Sequence, residues 1–284
     1  MTLIEVYKIG KQRLQEKKVP SASFDAMCLF EHCFRIDRQG LLLDGLQVAG
    51  EKKIHTYFSM IEQRANRRPL QYILGQWEFN GISFQVGEGV LVPREDTEVL
   101  VEECLKKIQG IENPVVFDLC GGSGAVAISI AKKREDAKIF CIELSEKAYT
   151  YLLKNITYHH IKNIEAIQKD VLMSPVDLKG QAIDAIVSNP PYVPTKEIKS
   201  LQEEVQYEPT MALDGGIDGL IFYRAIIEHW LPLLNPGGSL AVEIGIDQSA
   251  SVKNMFSEAK VEKICILKDM NGIDRVISGI KREN

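Results

Sequence analysis

Apolar residues in the first part of the chain recur at the spacing of one helix face. After Gly50, the positions Ile54, Tyr57, Phe58, Ile61 and Ala65 share a face at the helical period, and Pro69 follows shortly after. Earlier, Ser21 or Ser23 is placed to cap a helix whose Leu29, Phe30, Cys33 and Phe34 form an apolar stripe. Residues 1–75 therefore predict a small all-helical domain. Over 76–95 the pattern changes to aromatic and β-branched residues separated by Asn80-Gly81, Gly87 and Gly89, which predicts a β-hairpin linking two domains.

From residue 96 to 284 the period alternates. A helix is expected from Thr97 to Ile108. Apolar runs then fall at 115–119, 139–142, 183–187, 239–244 and 276–280, with less pronounced ones at 164–167 and 264–267, and helical stretches lie between most of them. Such alternation predicts an α/β domain with a mostly parallel sheet covered on both faces. No internal repeat or low-complexity segment interrupts it.

Composition narrows the function classes. With 45% apolar and 26% charged residues the chain has the make-up of a globular protein, and its net charge of -5 opposes coating of nucleic acid through the overall field. The opening MTLIEVYKIGKQRLQEKK carries charges in every turn, and no apolar run approaches the roughly 20 residues of a membrane span. A cytoplasmic protein with no membrane partner is expected. The six cysteines, Cys28, Cys33, Cys104, Cys120, Cys141 and Cys265, form no C-x-x-C pair and no metal-ligand spacing. They read as small buried thiols in a reducing compartment, and no metal site is expected.

Two motifs carry chemistry. In VVFDLCGGSGAVAISIA a buried strand runs into a glycine-rich turn and then a helix of small residues. Gly122 and Gly124 remove Cβ atoms where backbone approaches a ligand, and the helix start offers free N–H groups. A turn so placed sets its ligand at the carboxyl end of an open parallel sheet. A dinucleotide site is the rival reading, but the third glycine of its fingerprint is replaced by Ala127. Asp118, directly before the turn, would face a pyrophosphate; it suits a cofactor with a positive amine, such as the methionyl end of S-adenosylmethionine. Glu143, at the end of the next strand, is positioned to accept from both ribose hydroxyls. Asp170, followed by Val171 and Leu172, is a candidate for the adenine amino group, with the apolar pair covering the ring.

The second motif, Asn189-Pro190-Pro191-Tyr192, directly follows the strand at 183–187. Consecutive prolines stiffen the backbone and remove N–H donors. The Asn189 side-chain oxygen and the Pro190 carbonyl can together accept both hydrogens of one NH2 group. An amide or exocyclic amine attacks poorly because its lone pair is delocalised. Holding both N–H bonds in acceptors aims the nitrogen at a methyl sulfonium and stabilises it as it becomes tetrahedral. Tyr192 is expected to stack on the planar group and exclude water. No strong general base is needed, since the methylated nitrogen becomes acidic.

With these motifs, the chain resembles the peptide chain release factor glutamine methyltransferases (the HemK/PrmC type) over nearly its whole length. Further carriers are Pro69-Leu70-Gln71-Tyr72-Ile73-Leu74-Gly75, Glu78-Phe79, Val92-Pro93-Arg94 and Thr97-Glu98. The block from Tyr207-Glu208-Pro209 through Gly215-Gly216 and Asp218-Gly219-Leu220 to Tyr223-Arg224 completes it. The tetrapeptide alone is shared with adenine methyltransferases; the flanking blocks name the family. The resemblance implies a class I, Rossmann-like, seven-stranded methyltransferase domain behind the helical domain and hairpin. It also implies that Asn189, Pro190, Pro191 and Tyr192 bind the glutamine, and that Cys120, Gly121, Gly122, Ser123, Gly124, Glu143 and Asn189 contact S-adenosylmethionine, which leaves as S-adenosylhomocysteine. The implied substrate is the glutamine of the Gly-Gly-Gln loop in release factors, docked by the helical domain of a monomer; Arg64, Arg67 and Arg68 read as a solvated helix end, with a part in docking as the alternative. The family usually has glycine at the place of Cys120 and threonine at that of Gly121; the freedom of Gly121 is expected to offset the added Cβ.

Two other substrates use the same tetrapeptide chemistry. One is a ribosomal-protein glutamine. The other is adenine N6 in DNA or RNA, which needs phosphate binding and base flipping, and the chain shows no concentrated basic segment for either.

Overall fold

The computed structural model describes residues 1–178, 180 and 182–283 and divides into two compact units. The first holds residues 1–76 together with 202–207; the second holds 77–201 and 208–284. Among the described residues, no helix is long and apolar enough to cross a membrane.

In the first unit, α1 (Leu3–Glu16), α2 (Ala22–Phe34), α3 (Arg38–Asp44), α4 (Glu51–Ala65) and α5 (Leu70–Leu74) follow one another. Thr2 and Glu5 begin α1 with a reciprocal capping box. Ser21 stands at the N-cap of α2 but makes no side-chain capping bond, so the expected serine cap is not formed. Pro69 starts α5 instead of merely following α4, because its missing N–H costs nothing at a helix entry. The core is aromatic: Phe30 stacks on Phe34 at 4.5 Å and meets the Tyr57 ring edge-on at 5.7 Å.

Arg64 is buried in this unit. It donates to Asp25 at 2.6 Å and to Glu204 at 2.9 Å, while Arg67 pairs with Glu203 and Glu204 and Arg68 donates to Gln63. These arginines are expected at a solvated helix end or, as the alternative, at a docking surface. Arg64 instead neutralises Asp25, whose carboxyl burial pushes up and the guanidinium pulls back.

The hairpin strands β1 (Gln76–Phe79), which enters the second unit at Trp77, and β2 (Ile82–Gln85) turn at Asn80 and Gly81, both left-handed (φ 52 and 70), as a two-residue hairpin requires. Phe79 and Phe84 belong to the core of this unit. A 3-10 turn (Glu95–Thr97) leads into α6 (Glu98–Lys107). Then β3 (Val115–Leu119), α7 (Ala125–Lys133), β4 (Lys138–Glu143), α8 (Glu146–Tyr158) and β5 (Ile164–Gln168) alternate. They are followed by β6 (Ile183–Ser188), α9 (Ile221–Ala225), β7 (Leu234–Glu243), α10 (Ser249–Glu258), β8 (Val261–Lys268) and β9 (Asp274–Lys281).

The seven strands form one sheet in the order β5-β4-β3-β6-β7-β9-β8, with β9 antiparallel to both neighbours. The expected mostly parallel sheet is therefore present, with all of its strands. From β3 the chain first moves outward to β4 and β5 and then returns to place β6 on the other side of β3, which makes the β3/β6 boundary the switch point where open sheets bind ligands. Leu119 pairs with Ser188, and the Ser188 hydroxyl donates to the Leu119 carbonyl at 2.7 Å. This register sets the glycine turn and the tetrapeptide side by side.

Candidate active site

The turn after β3 is shaped by two donated hydrogen bonds from its backbone. Gly121 N–H donates to the Ile142 carbonyl and Gly122 N–H to Glu143 Oε2, both at 2.8 Å, so the turn is fastened to the end of β4. A Cβ on Gly122 (φ 56) would meet no protein atom within 4 Å; that space faces the cleft. One on Gly124 (φ 83) would lie 2.6 Å from Leu152 Cδ1, so this glycine serves the packing of α7 on α8. Cys120 is itself left-handed (φ 62), whereas Gly121 has no positive φ. The expected offset by the freedom of Gly121 is thus not how the turn is accommodated. Gly121 is small because the Cys141 sulfur lies 2.2 Å from where its Cβ would stand.

Three carboxylates line this end of the sheet. Asp118 is buried, accepts from the Ala127 N–H at 3.0 Å and from the Cys141 thiol at 3.7 Å, and is pushed up to about 7 by burial, which those two bonds only partly oppose. Glu143 accepts from Gly122 and, through Oε1, from the Ser145 N–H at 2.7 Å; burial raises its pKa and these bonds pull it back. A carboxylate has about four acceptor sites, so both oxygens keep capacity for further donors. Asp170 closes a local turn by accepting from Leu172 N–H at 2.9 Å.

At the tetrapeptide, Asn189 Nδ2 donates to Thr97 Oγ1 at 3.1 Å, and the Thr97 hydroxyl donates to Glu243 Oε2 at 2.6 Å. The Tyr192 hydroxyl donates to the other oxygen of Glu243 at 3.3 Å, and its main-chain carbonyl accepts from Gln248 Nε2 at 3.0 Å. Burial raises the Tyr192 phenol well above its usual range, with the Glu243 charge adding to the effect.

A cleft of about 390 Å³ opens over the switch point, within the range of small-molecule sites. Of the sequence-predicted residues, Cys120, Gly122, Glu143, Asp170, Val171, Leu172, Asn189 and Pro191 line it. Asp118, Gly121 and Ser123 line a smaller cavity that shares Cys120, Gly122 and Asn189 with it. Gly124, Pro190 and Tyr192 line neither; Pro190 is buried and Tyr192 half-buried.

Residues 5–75 match the family model described as PrmC N-terminal domain, and residues 95–214 match Methyltransferase small domain. A release factor glutamine methyltransferase from Clostridium botulinum is 37% identical over 280 residues, covering 98% of each chain. One from Thermodesulfovibrio yellowstonii is 41% identical over 248 residues, covering 87% of this chain and 88% of its own. The chain belongs to the release factor glutamine methyltransferase family. Among solved structures, the hMettl16 catalytic domain in complex with MAT2A 3'UTR hairpin 6 is 12% identical, with a TM-score of 0.60 over 82% of this chain and 83% of that one, and shares the methyltransferase fold.

In this release factor glutamine methyltransferase family member, several site residues escape motif reading. Asn155 on α8 is fully buried: its side chain accepts from Gln85 N–H and donates to the carbonyls of Gln85 and Ser123, joining the hairpin to the glycine turn. Glu208 accepts from the Val92 N–H at 2.9 Å and pairs with Arg94, bracing the 92–94 loop. A lone asparagine in a helix carries no sequence signal for such a role. Thr97, Arg94 and Glu208 did lie in the family-like blocks, which was the available hint; Glu243 ends a strand in an acid, as Glu143 does.

Proposed function

We propose that the chain transfers a methyl group from S-adenosylmethionine to the side-chain amide nitrogen of the glutamine in the Gly-Gly-Gln loop of peptide chain release factors. The reading is supported most by the Asn189 side chain: its NH2 is already committed to Thr97, which leaves its carbonyl oxygen as the acceptor available to an incoming NH2 group. That acceptor borders the same cleft as Glu143 and Asp170.

The residues fit the proposed cofactor. Gly122 leaves open space where a side chain would stand, and Asp118, Glu143 and Asp170 provide acceptors for an ammonium, a ribose and an amino group respectively. When bound, S-adenosylmethionine supplies an electrophilic methyl group on a positive sulfur. Asn189, with the Pro190 carbonyl, orients the glutamine nitrogen and takes up the positive character that its hydrogens gain during attack. Tyr192 lines neither cavity; anchored through Glu243, it holds the tetrapeptide in place behind Asn189 and Pro191. The departing proton goes to solvent after methylation, so no buried base has to be supplied.

Residues 1–75 are assigned the docking of the release factor. Their unit exposes Leu42, Leu43 and Leu46, each at least 79% accessible, on and just after α3, and such apolar side chains serve protein recognition better than phosphate contact. Purified protein incubated with labelled cofactor is expected to label a release factor at that glutamine; labelling of a ribosomal protein or of DNA instead would replace this reading.

A further inference from the structure

Glutamine methylation as proposed above needs the Asn189 side chain in one of its two flipped orientations, with oxygen toward the substrate. The reversed amide would set two N–H groups against the two N–H groups of the glutamine. Nothing in the shape of an amide side chain distinguishes these orientations; its hydrogen-bond partners must do so.

We infer that Glu243 is a positioning residue that fixes this orientation through Thr97. An ionised carboxylate only accepts, so the 2.6 Å contact obliges Thr97 to spend its single proton on Glu243 Oε2. Thr97 Oγ1 is then left as an acceptor, and the group 3.1 Å away on Asn189 must be the NH2. The Asn189 oxygen is thereby turned away from Thr97.

The fold builds this relay at one level of the sheet. Val242 pairs with Ser188 across β6 and β7, so Glu243 and Asn189 are the next residues out from paired neighbours on adjacent strands. Thr97 ends the 3-10 turn before α6, and both it and Glu243 are buried, at 4% and 1% exposure. Bulk water does not reach either partner at such burial. Glu243 Oε1 meanwhile takes the Tyr192 hydroxyl, so one carboxylate holds both ends of the tetrapeptide.

The relay depends on the charge of Glu243. Groups facing it are Thr97 and Asp96 from the 3-10 turn, Tyr192 from the tetrapeptide, Tyr223 from α9, whose hydroxyl donates to the Glu243 main-chain carbonyl, and Arg275 from β9. Arg275 is itself committed to Asp96 at 3.1 Å and Asp269 at 2.9 Å. Burial pushes the Glu243 carboxyl up to about 7, with Thr97, Arg275 and Tyr192 opposing and Asp96 adding to it. Once protonated, Glu243 can donate to Thr97 Oγ1, and the freed Thr97 proton can turn to the Asn189 oxygen. The reversed amide then becomes acceptable to the relay.

The test compares wild type, Thr97→Val and Thr97→Ser at saturating S-adenosylmethionine with a release factor as substrate. Thermal melting and calorimetric cofactor affinity serve as controls for the fold. Thr97→Val, the same shape without a hydroxyl, is expected to lower kcat about 10- to 100-fold, as misplacement of a reacting group does, with cofactor Kd within about twofold. Thr97→Ser, which keeps the relay, should recover kcat to within about threefold of wild type. Wild type and Thr97→Ser should lose kcat as pH falls through about 7, and Thr97→Val should lack that limb. The inference is overturned if Thr97→Val retains wild-type kcat, or if Thr97→Ser is as impaired as Thr97→Val. A wild-type enzyme that leaves release factor unmethylated overturns the proposed function itself, a result distinct from both.

Discussion

Gly122 donates its backbone N–H to Glu143 Oε2 at 2.8 Å, so the glycine turn after β3 and the acid that ends β4 are a single mechanical unit. Glu143 also holds the Ser145 N–H at the N-cap of α8. Replacing it therefore removes a proposed ribose acceptor and frees two backbone groups together. Glu143→Ala is expected to weaken S-adenosylmethionine binding by at least about tenfold, combining a lost charged hydrogen bond with a loosened turn. Isothermal calorimetry measures this; an unchanged Kd would remove Glu143 from the cofactor site.

As a proposed partner of the cofactor's ammonium, Asp118 should give cofactor binding a pH dependence with a defined sign. Its carboxyl stands at about 7 in the free protein, so it is largely neutral at pH 6 and charged at pH 8. Only the charged form attracts an ammonium, so affinity should strengthen as pH rises through about 7, until the cofactor's own amine loses its proton near pH 8. Asp118→Asn should bind more weakly at pH 7.5 and show a flat profile between pH 6 and about 7.5. A wild-type profile equally flat would contradict the assignment.

The same burial makes Asp118 a cost to the free protein. An acid whose folded pKa is raised favours the fold most below its unfolded pKa, and that stability is lost as pH rises through the folded value of about 7. Asp118→Asn keeps an oxygen for the Ala127 N–H and removes the charge. Without cofactor, its melting temperature should exceed that of wild type by a margin that grows from pH 5 to pH 8. A constant margin would show that ionisation is not its source.

Gly121 and Cys141 form a packed pair, since a Cβ at 121 would lie 2.2 Å from the Cys141 sulfur. Gly121→Thr should destabilise the protein by about 1–3 kcal/mol through overpacking. Adding Cys141→Ala should return much of that loss, a non-additivity expected only of residues in contact. Chemical denaturation of both single variants and the double variant gives the coupling energy; simple additivity would mean that the turn relaxes elsewhere.

Much of this fold was legible in the chain because its elements are strongly periodic. Strands 115–119 and 183–188 stand almost where the apolar runs predict them, being buried on both faces and bounded by glycine or proline. The hairpin at Asn80-Gly81 follows from the one turn type those residues favour. Legibility fails where a residue's role depends on something distant in sequence. Residues 202–207 belong with the helical unit because Glu203 and Glu204 meet Arg64 and Arg67, more than a hundred positions away. Arg64 looks like a surface charge in a helical pattern, yet its partner Asp25 makes it a buried one. At the site, most residues named by the motifs line the two cavities, while the apolar lining from Leu91, Met211 and Phe222 and the supporting roles of Asn155 and Glu243 could not be read. Their function is set by strand order, which no local pattern records.

The proposed transfer requires Asn189 to present an acceptor to a glutamine amide. The most direct measurement is transfer of a labelled methyl group by wild type and Asn189→Ala to a release factor, a ribosomal protein and DNA in parallel, with melting curves for both proteins. Wild type should label the release factor at the Gly-Gly-Gln glutamine, and Asn189→Ala should lose about 100-fold or more in rate with its fold intact. Labelling of DNA or the ribosomal protein in preference to release factor, or an Asn189→Ala variant as active as wild type, would contradict it.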